Sequence, residues 1–367
     1  MAKIIYKQSG VNYQHLDPVK IKAQKAAAKT SLNLSHTPYS EITQSRGESA
    51  YVLDMGDHYL ATITECLGTK ALIADAMYQI TGTHYYRALA QDTIAMAVND
   101  ILTVGAKPLT ISAYWAAGDS DWFENKQRTN DLIKGWRHAC DISGAVWGGG
   151  ETPSLTGVIN PTAIDLAASC VGIIKPKSRL TLGEKLNPGD RIIALESSGI
   201  HANGLSLARN IAATLTQGYA TKIKGNLSLG AALLTPTVIF APLIEQLFNS
   251  KIDIHYLTHI TGHGWLKLMR HPSSLTYYIH TLPPVPEVLT FLTKKAGLSL
   301  KDAYITFNMG AGFVMFIPPN QAQQTLSISH EQGIRAYEIG QVKKGPKQII
   351  IEPLHLTYDK KQLRLRV

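Results

Sequence analysis

Cysteine is nearly absent from the chain: three among 367 residues, at Cys66, Cys140 and Cys170, with no C-x-x-C pair. That excludes a disulfide framework and a thiolate zinc site and fits a reducing compartment. Charge is sparse too. Asp, Glu, Lys and Arg make up 17% of the residues against 45% hydrophobic, which excludes extended disorder and leaves ample material for buried cores. No apolar run approaches the roughly 20 residues that span a bilayer, and Met1 to Gly10 holds no signal-peptide core. A cytoplasmic protein without a membrane partner is expected, so the sequons beginning at Asn33 and Asn226 carry no weight. Glycine (29) and proline (17) show no fixed period, which excludes collagen-like and repeat folds.

The balance of 36 basic to 27 acidic residues gives a net charge of +9. Such an excess suits an anionic partner: a phosphate ester, nucleic acid or acidic lipid. The basic residues are dispersed, however, and no aromatic-interleaved basic stripe occurs, so nucleic acid is disfavoured.

The length predicts two domains. Residues 1–48 read as a polar arm with a short helix over 18–29. Residues 49–175 then alternate between strand-like and helix-like patterns: strands within 51–64, helices over 70–78 and 91–104, a strand over 109–114, a helix over 127–143 and a strand over 163–173. A proline-containing charged stretch over 176–190, ending in Asn187-Pro188-Gly189-Asp190, marks the boundary. The second unit, 185–355, repeats the α/β pattern, with a strand over 191–196, helices over 204–215 and 237–249, strands over 254–260 and 348–352, and alternation over 304–318. Residues 356–367 read as a basic tail.

Several segments carry groups suited to chemistry. Glu65-Cys66-Leu67-Gly68-Thr69-Lys70 stands where a strand gives way to a helix. Glu65 offers a hard oxygen for a divalent cation, Gly68 close backbone approach, Thr69 a hydroxyl and Lys70 a point charge. It is not a P-loop, because the first glycine of that motif is missing. On the next helix the apolar residues Ile94, Ala97, Val98, Ile101 and Leu102 share one stripe, which leaves Asp92, Asn99 and Asp100 off it. Asp92 fits an N-cap as well as it fits a ligand, whereas Asn99 and Asp100 offer oxygens for a cation.

Trp147-Gly148-Gly149-Gly150-Glu151-Thr152 combines three glycines with a carboxylate, a composition suited to backbone passing close to a phosphate chain or to a hinge. Ser197-Ser198-Gly199-Ile200-His201-Ala202-Asn203-Gly204 is a small-residue loop before a helix, a place where backbone N–H groups and hydroxyls bind anions. His255, His259 and His263 recur every four residues, but Gly262 and Gly264 argue for a strand entering a turn rather than a zinc-binding helix. Phe307-Asn308-Met309-Gly310 is read as joining two strands, with Asn308 a turn residue.

Taken in order, these segments resemble the phosphoribosylformylglycinamidine cyclo-ligase (aminoimidazole ribonucleotide synthetase) family along nearly the whole chain. Tyr6-Lys7-Gln8-Ser9-Gly10-Val11 is similar to that family's opening, Gly68-Thr69-Lys70 to the end of its Asp-Gly-Val-Gly-Thr-Lys motif, and Val98-Asn99-Asp100-Ile101 with Gly105-Ala106-Lys107-Pro108-Leu109 to its next run. Gly149-Gly150-Glu151-Thr152, Ser197 to Gly204, Thr258 to Gly262 and Phe307 to Gly310 follow in register. The chain departs from the pattern at Glu65 (aspartate in the family), Cys66 (glycine), Pro153 to Thr156, and His263, which replaces the middle glycine of a triplet.

The resemblance implies an α/β (α+β) protein of two domains. The N-terminal domains of two subunits would join in a dimeric β-barrel, and the C-terminal domain would be an α/β sandwich. It implies a homodimeric enzyme of purine biosynthesis that uses ATP and Mg2+ to close formylglycinamidine ribonucleotide into aminoimidazole ribonucleotide. It places Glu65, Asp92 and Asp100 on magnesium. Gly68, Thr69, Lys70, Asn99 and Gly149, Gly150, Glu151, Thr152 would line the nucleotide, so that Lys70, Asp100 and Glu151 converge on one polyphosphate. Ser197, Ser198, Gly199, His201, Asn203, Gly204 and Asn308 would lie at the phosphoribosyl substrate. Lys70, Asp100, His201 and His259 would be catalytic, the two histidines as proton carriers. The rival expectations are another ATP-dependent enzyme of the superfamily, of the thiamine-monophosphate kinase kind, and a non-catalytic nucleotide-binding homologue.

Overall fold

The computed structural model describes residues 13–363, so the Tyr6–Val11 segment and the last residues of the expected tail lie outside it. A helix, α1 (Tyr13–Lys29), precedes a sheet of six strands: β1 (Ser40–Glu41), β2 (Tyr51–Asp54), β3 (Tyr59–Cys66), β4 (Lys107–Ala117), β5 (Val146–Glu151) and β6 (Ile164–Ile174). Their spatial order is β1-β2-β3-β6-β4-β5, antiparallel except for the β4/β5 pair at one edge. Strict alternation along β6 buries Ile164, Leu166, Ala168, Cys170 and Ile174 on one face. The helices α2 (Lys70–Thr81), α3 (Tyr86–Leu102) and α4 (Lys126–Ser143) lie between the strands in sequence, and α3 packs on β3, β4 and β6. The other face of the sheet, with Thr62, Thr64, Ser169 and Val171, is only approached by α1, across a cavity of about 560 Å³.

The second sheet is built from β7 (Arg191–Glu196), β10 (Tyr256–His259), β11 (Leu275–Ile279), β12 (Ala311–Ile317), β13 (Ala336–Lys344), β14 (Gln348–Ile351) and β15 (Leu356–Asp359), with the small hairpin β8 (Lys222–Lys224) and β9 (Leu227–Ser228) apart from it. Its order is β10-β12-β7-β13-β11-β14-β15. Helices α5 (Leu205–Thr214), α6 (Leu229–Leu233), α7 (Ala241–Asn249), α8 (Glu287–Ala296), α9 (Leu300–Thr306) and α10 (Ala322–Glu331) complete the unit. Three expectations are corrected here. Leu356–Asp359 is an edge strand paired with β14 rather than tail. Residues 304–306 end α9, so Phe307–Gly310 joins a helix to β12 instead of joining two strands. The helix expected over 237–249 begins only at Ala241.

Between the sheets α3 is enclosed on every side: each residue from Asp92 to Leu102 is buried. One flank meets the first sheet and the other meets α7 and β10 of the second unit. The polar edge of the helix, which periodicity alone would turn to solvent, therefore faces the second domain. Asp92 is consequently mid-helix and not an N-cap. The connecting segment is pinned back as well, since the Thr181 hydroxyl donates to the Thr103 carbonyl at 3.0 Å and Arg179 forks onto Glu245.

His271, beside the Tyr256 ring at 5.6 Å, adds a pH dependence to this packing. Burial, with the Lys347 ammonium nearby, holds its imidazole down to about 4. The unfolded chain therefore binds a proton at this residue between about pH 6.5 and 4 that the folded chain refuses, and stability falls as pH drops through that window. Thermal melts across pH 7 to 4 are expected to show a declining Tm, with a shallower decline for His271→Asn.

Candidate active site

Asp92 and Lys70 are completely buried and form an ion pair at 2.7 Å. The second ligand of each is the C-terminal domain. Lys70 donates to the carbonyls of His201 and Thr235, both at 3.1 Å, while Asp92 Oδ1 accepts from the Thr237 amide at 2.8 Å and from its hydroxyl at 2.5 Å. Asn99 continues the row: its amide group donates to the Val238 carbonyl at 2.8 Å and accepts from the Phe240 amide at 3.0 Å. Gln91 donates to the Thr237 carbonyl at 2.8 Å. The extended segment 235–240 is thus read, group by group, by α2 and α3. Lys70, Asp92 and Asn99, which the resemblance assigns to the nucleotide, thus fasten the two domains to each other in this arrangement.

Asp100 stands eight residues beyond Asp92, about 12 Å along the helix axis, in different company. Its Oδ1 lies 2.7 Å from His259 Nδ1, and it shares a hydrogen bond with Glu65 at the end of β3. Burial and the adjacent Asp100 carboxylate push the Glu65 carboxyl up to about 7. Burial works in the same direction on Asp100, but the hydrogen bond from His259 and the Lys267 ammonium prevail and hold it below the ordinary range. The pair therefore keeps its proton on Glu65. Burial lowers His259 despite Asp100. The neutral ring donates from Nδ1 and leaves the lone pair of Nε2 buried and without a hydrogen-bond partner among the described residues.

Around this core stand Lys267 and Arg270 from the turn after β10, and α1 closes one side, with Asp17 3.6 Å from His263. His263 takes a left-handed backbone (φ 68°), and burial draws its ring down to about 4. His255 is elsewhere, on Asp190 at 2.8 Å. No group of three or more His, Cys, Asp or Glu side chains fit to hold a metal occurs among the described residues, so Glu65, Asp92 and Asp100 do not form the expected ligand set; Glu65 and Asp100 alone meet.

Of the remaining candidates, His201 lies close enough to His259 for the two rings to interact, and Asn308 borders the turn that carries Lys267, its carbonyl accepting from Trp265 Nε1 at 2.8 Å. His201 is buried, and its Nε2 accepts from the Ser198 amide at 3.3 Å, which puts its proton on Nδ1. Ser197 donates to Asn308 Oδ1 at 2.9 Å, Asn308 Nδ2 donates to the Gly199 carbonyl at 2.8 Å, and the Ser198 hydroxyl donates to the Pro236 carbonyl at 2.6 Å. Asn203 rests on Met96, and Gly204 precedes α5. These hydroxyl and amide groups brace the loop that the resemblance assigns to the phosphoribosyl substrate. Gly68 and Thr69 precede α2 beside the latch.

On β5 the glycines answer to their own sheet. A Cβ at Gly150 would fall 2.1 Å from the Ala113 carbonyl oxygen. Glu151 is exposed on this edge strand, and with Thr152, Trp115 and Trp147 it lines a separate cavity of about 300 Å³. Three strand spacings, about 14 Å, separate β5 from β3. Within one chain, then, Glu151 stands on the edge strand of the sheet, three strands from the one that carries Glu65.

Two family models match the chain: "AIR synthase related protein, N-terminal domain" over residues 47–174 and "AIR synthase related protein, C-terminal domain" over 187–352. The chain belongs to the AIR synthase related family. The phosphoribosylformylglycinamidine cyclo-ligase of Methanothermobacter thermautotrophicus is 34% identical over 351 residues, covering 95% of this chain and 97% of that protein. The enzyme of the same name from Rippkaea orientalis is 35% identical over 298 residues, covering 80% of this chain and 84% of that one. Among solved structures, hydrogenase maturation protein HypE in complex with ATP superimposes with a TM-score of 0.58 at 17% identity, covering 82% of this chain and 83% of that one; that likeness speaks to the fold.

In this AIR synthase related protein the sequence reading missed Lys267, Arg270, Asp17 and Lys20. Lys267 had a signal: a lysine inside Trp265-Leu266-Lys267-Leu268-Met269, an otherwise apolar run that the structure buries. The α1 residues had none, since nothing in a polar helix shows which face returns to a distant turn.

Proposed function

We propose that this chain catalyses the ATP-dependent closure of formylglycinamidine ribonucleotide to 5-aminoimidazole ribonucleotide, with release of ADP and phosphate. The observation that carries the reading is the Glu65–Asp100 pair backed by His259 at the domain junction, in a chain similar end to end to cyclo-ligases. In this reaction phosphorylation of the formyl amide oxygen turns a poor leaving group into phosphate, and a nitrogen then attacks to close the ring. Catalysis is chiefly positioning and charge neutralisation.

A magnesium ion fits the donor set. Two buried carboxylates forced together, one of them pushed toward its protonated form by burial and by the other, form a hard-oxygen site, and magnesium commonly takes one or two carboxylates with waters and substrate phosphates. Glu65 and Asp100 would hold the ion, which when bound neutralises phosphate charge. His259 steadies Asp100 through Nδ1 and accepts the proton of the attacking nitrogen at Nε2. His201, with its Nε2 already engaged, has no such capacity there. His259→Ala is expected to lower kcat about 10²- to 10³-fold with a smaller change in KM, as measured by steady-state ADP release.

A homodimer belongs to the same reading. The sheet face bearing Thr62, Thr64, Ser169 and Val171 lacks a helical cover, and Val146 and Leu109 are 68% and 40% exposed; a second copy would cover such a face. A cytoplasmic enzyme is part of the reading as well. The test is substrate-dependent ADP formation by the purified protein, together with growth of a purine auxotroph lacking this ring-closing step. Growth only with added purine overturns the assignment.

A further inference from the structure

Two cations beside Glu65 and Asp100 have no task in the reaction as described. Lys267 is 5% exposed, and its ammonium, with three donors, makes a single hydrogen bond, to the Thr261 hydroxyl. Arg270 donates to the Ser49 hydroxyl, and its Nε is buried without a hydrogen-bond partner among the described residues. Neither forms an ion pair with a carboxylate among the described residues. The chain's other well-buried cations behave differently: Lys70 is paired with Asp92 and Arg179 with Glu245.

An ammonium taken out of water with no carboxylate in contact is costly, and a chain under no constraint would place methionine or leucine within such an apolar turn. Lys267 and Arg270 also sit close enough to interact with each other and with Asp100, Lys267 with Glu65 as well, and Lys20 of α1 adds a third positive charge. The cleft thus has a carboxylate side and a cationic side.

We propose that Lys267, assisted by Arg270, holds a phosphate oxygen of a bound ligand opposite Glu65 and Asp100. The proposal rests on the cleft being the reacting site, and deepens that reading by naming the groups that grip the anion. The phosphate is either the terminal group of the nucleotide or the ribose 5-phosphate of the substrate. Both present the same dianionic oxygens to an ammonium and a guanidinium, whose donors suit them.

The test is calorimetric titration of the full-length protein, as wild type, Lys267→Met and Lys267→Arg, with a magnesium-bound non-hydrolysable ATP analogue and, separately, with ribose 5-phosphate. Lys267→Met is expected to weaken one ligand by roughly 30-fold, the loss of a charge-assisted hydrogen bond. Which ligand weakens identifies the phosphate. Lys267→Arg is expected to retain most of the affinity. The Tm of Lys267→Met is expected to change little, because the relief of a buried charge without a contacting carboxylate is offset by the loss of its attraction to Asp100 and Glu65. Unchanged affinity for both ligands overturns the proposal; so does a loss of affinity accompanied by a fall in Tm, which would mark Lys267 as structural. Failure of the ring-closing reading is seen separately, as wild-type protein that forms no ADP with its substrate.

Discussion

Asp100→Asn is expected to lower kcat/KM for ring closure by about 10³-fold, the scale set by removing one preorganised electrostatic group from a water-poor site. The substitution is nearly isosteric, and the new amide oxygen can still accept from His259 Nδ1, which now lies 2.7 Å from the Asp100 carboxylate. What disappears is charge. Magnesium affinity is expected to fall with it, and Glu65 is expected to titrate nearer the ordinary carboxylate range, because the like-charged neighbour that helps push it up to about 7 is gone. Steady-state ADP release, metal titration and a pH titration followed by infrared carboxylate bands measure the three effects. A variant that turns over as wild type removes Asp100 from the machinery.

The largest effect on stability is expected at Asp92. Asp92→Asn leaves the Lys70 ammonium fully buried with two carbonyls and no counter-charge, a loss of about 3–5 kcal/mol for a broken buried pair. Lys70→Met alone is damaging for the mirror-image reason. The double variant is expected to recover part of the loss, since no charge is then stranded, and the cycle of four urea midpoints isolates the coupling. Strictly additive losses would mean that the two groups act independently, contrary to the geometry.

Much of the fold was legible because its signals are local. Strand alternation along 163–173 and the turn residues Asn187-Pro188-Gly189 depend on neighbours in sequence, and β6 and the connecting segment lie there. Asp100 and His259 were also singled out from sequence, and the structure joins them. The role of α3 was not legible. Its apolar stripe is real, but a periodic pattern reports only how many faces are greasy, and a polar edge bound for another domain looks the same as one bound for water. That Asp92 and Asn99 reach across to the second domain was hidden for that reason. The Ser197–Asn308 brace was hidden by distance, because its partners are 111 residues apart. Lys267 and Arg270 were overlooked because no short motif contains them.

The buried helix α3 carries the domain fastening at Asp92 and Asn99 and the His259-bound carboxylate of Asp100 on one rigid rod. A hinge that swung the two sheets apart would have to tear the Lys70, Asp92 and Asn99 contacts before Asp100 moved at all. The two halves are therefore expected to move as one body, so that the geometry joining Asp100 to His259 is set by the same contacts that hold the domains together.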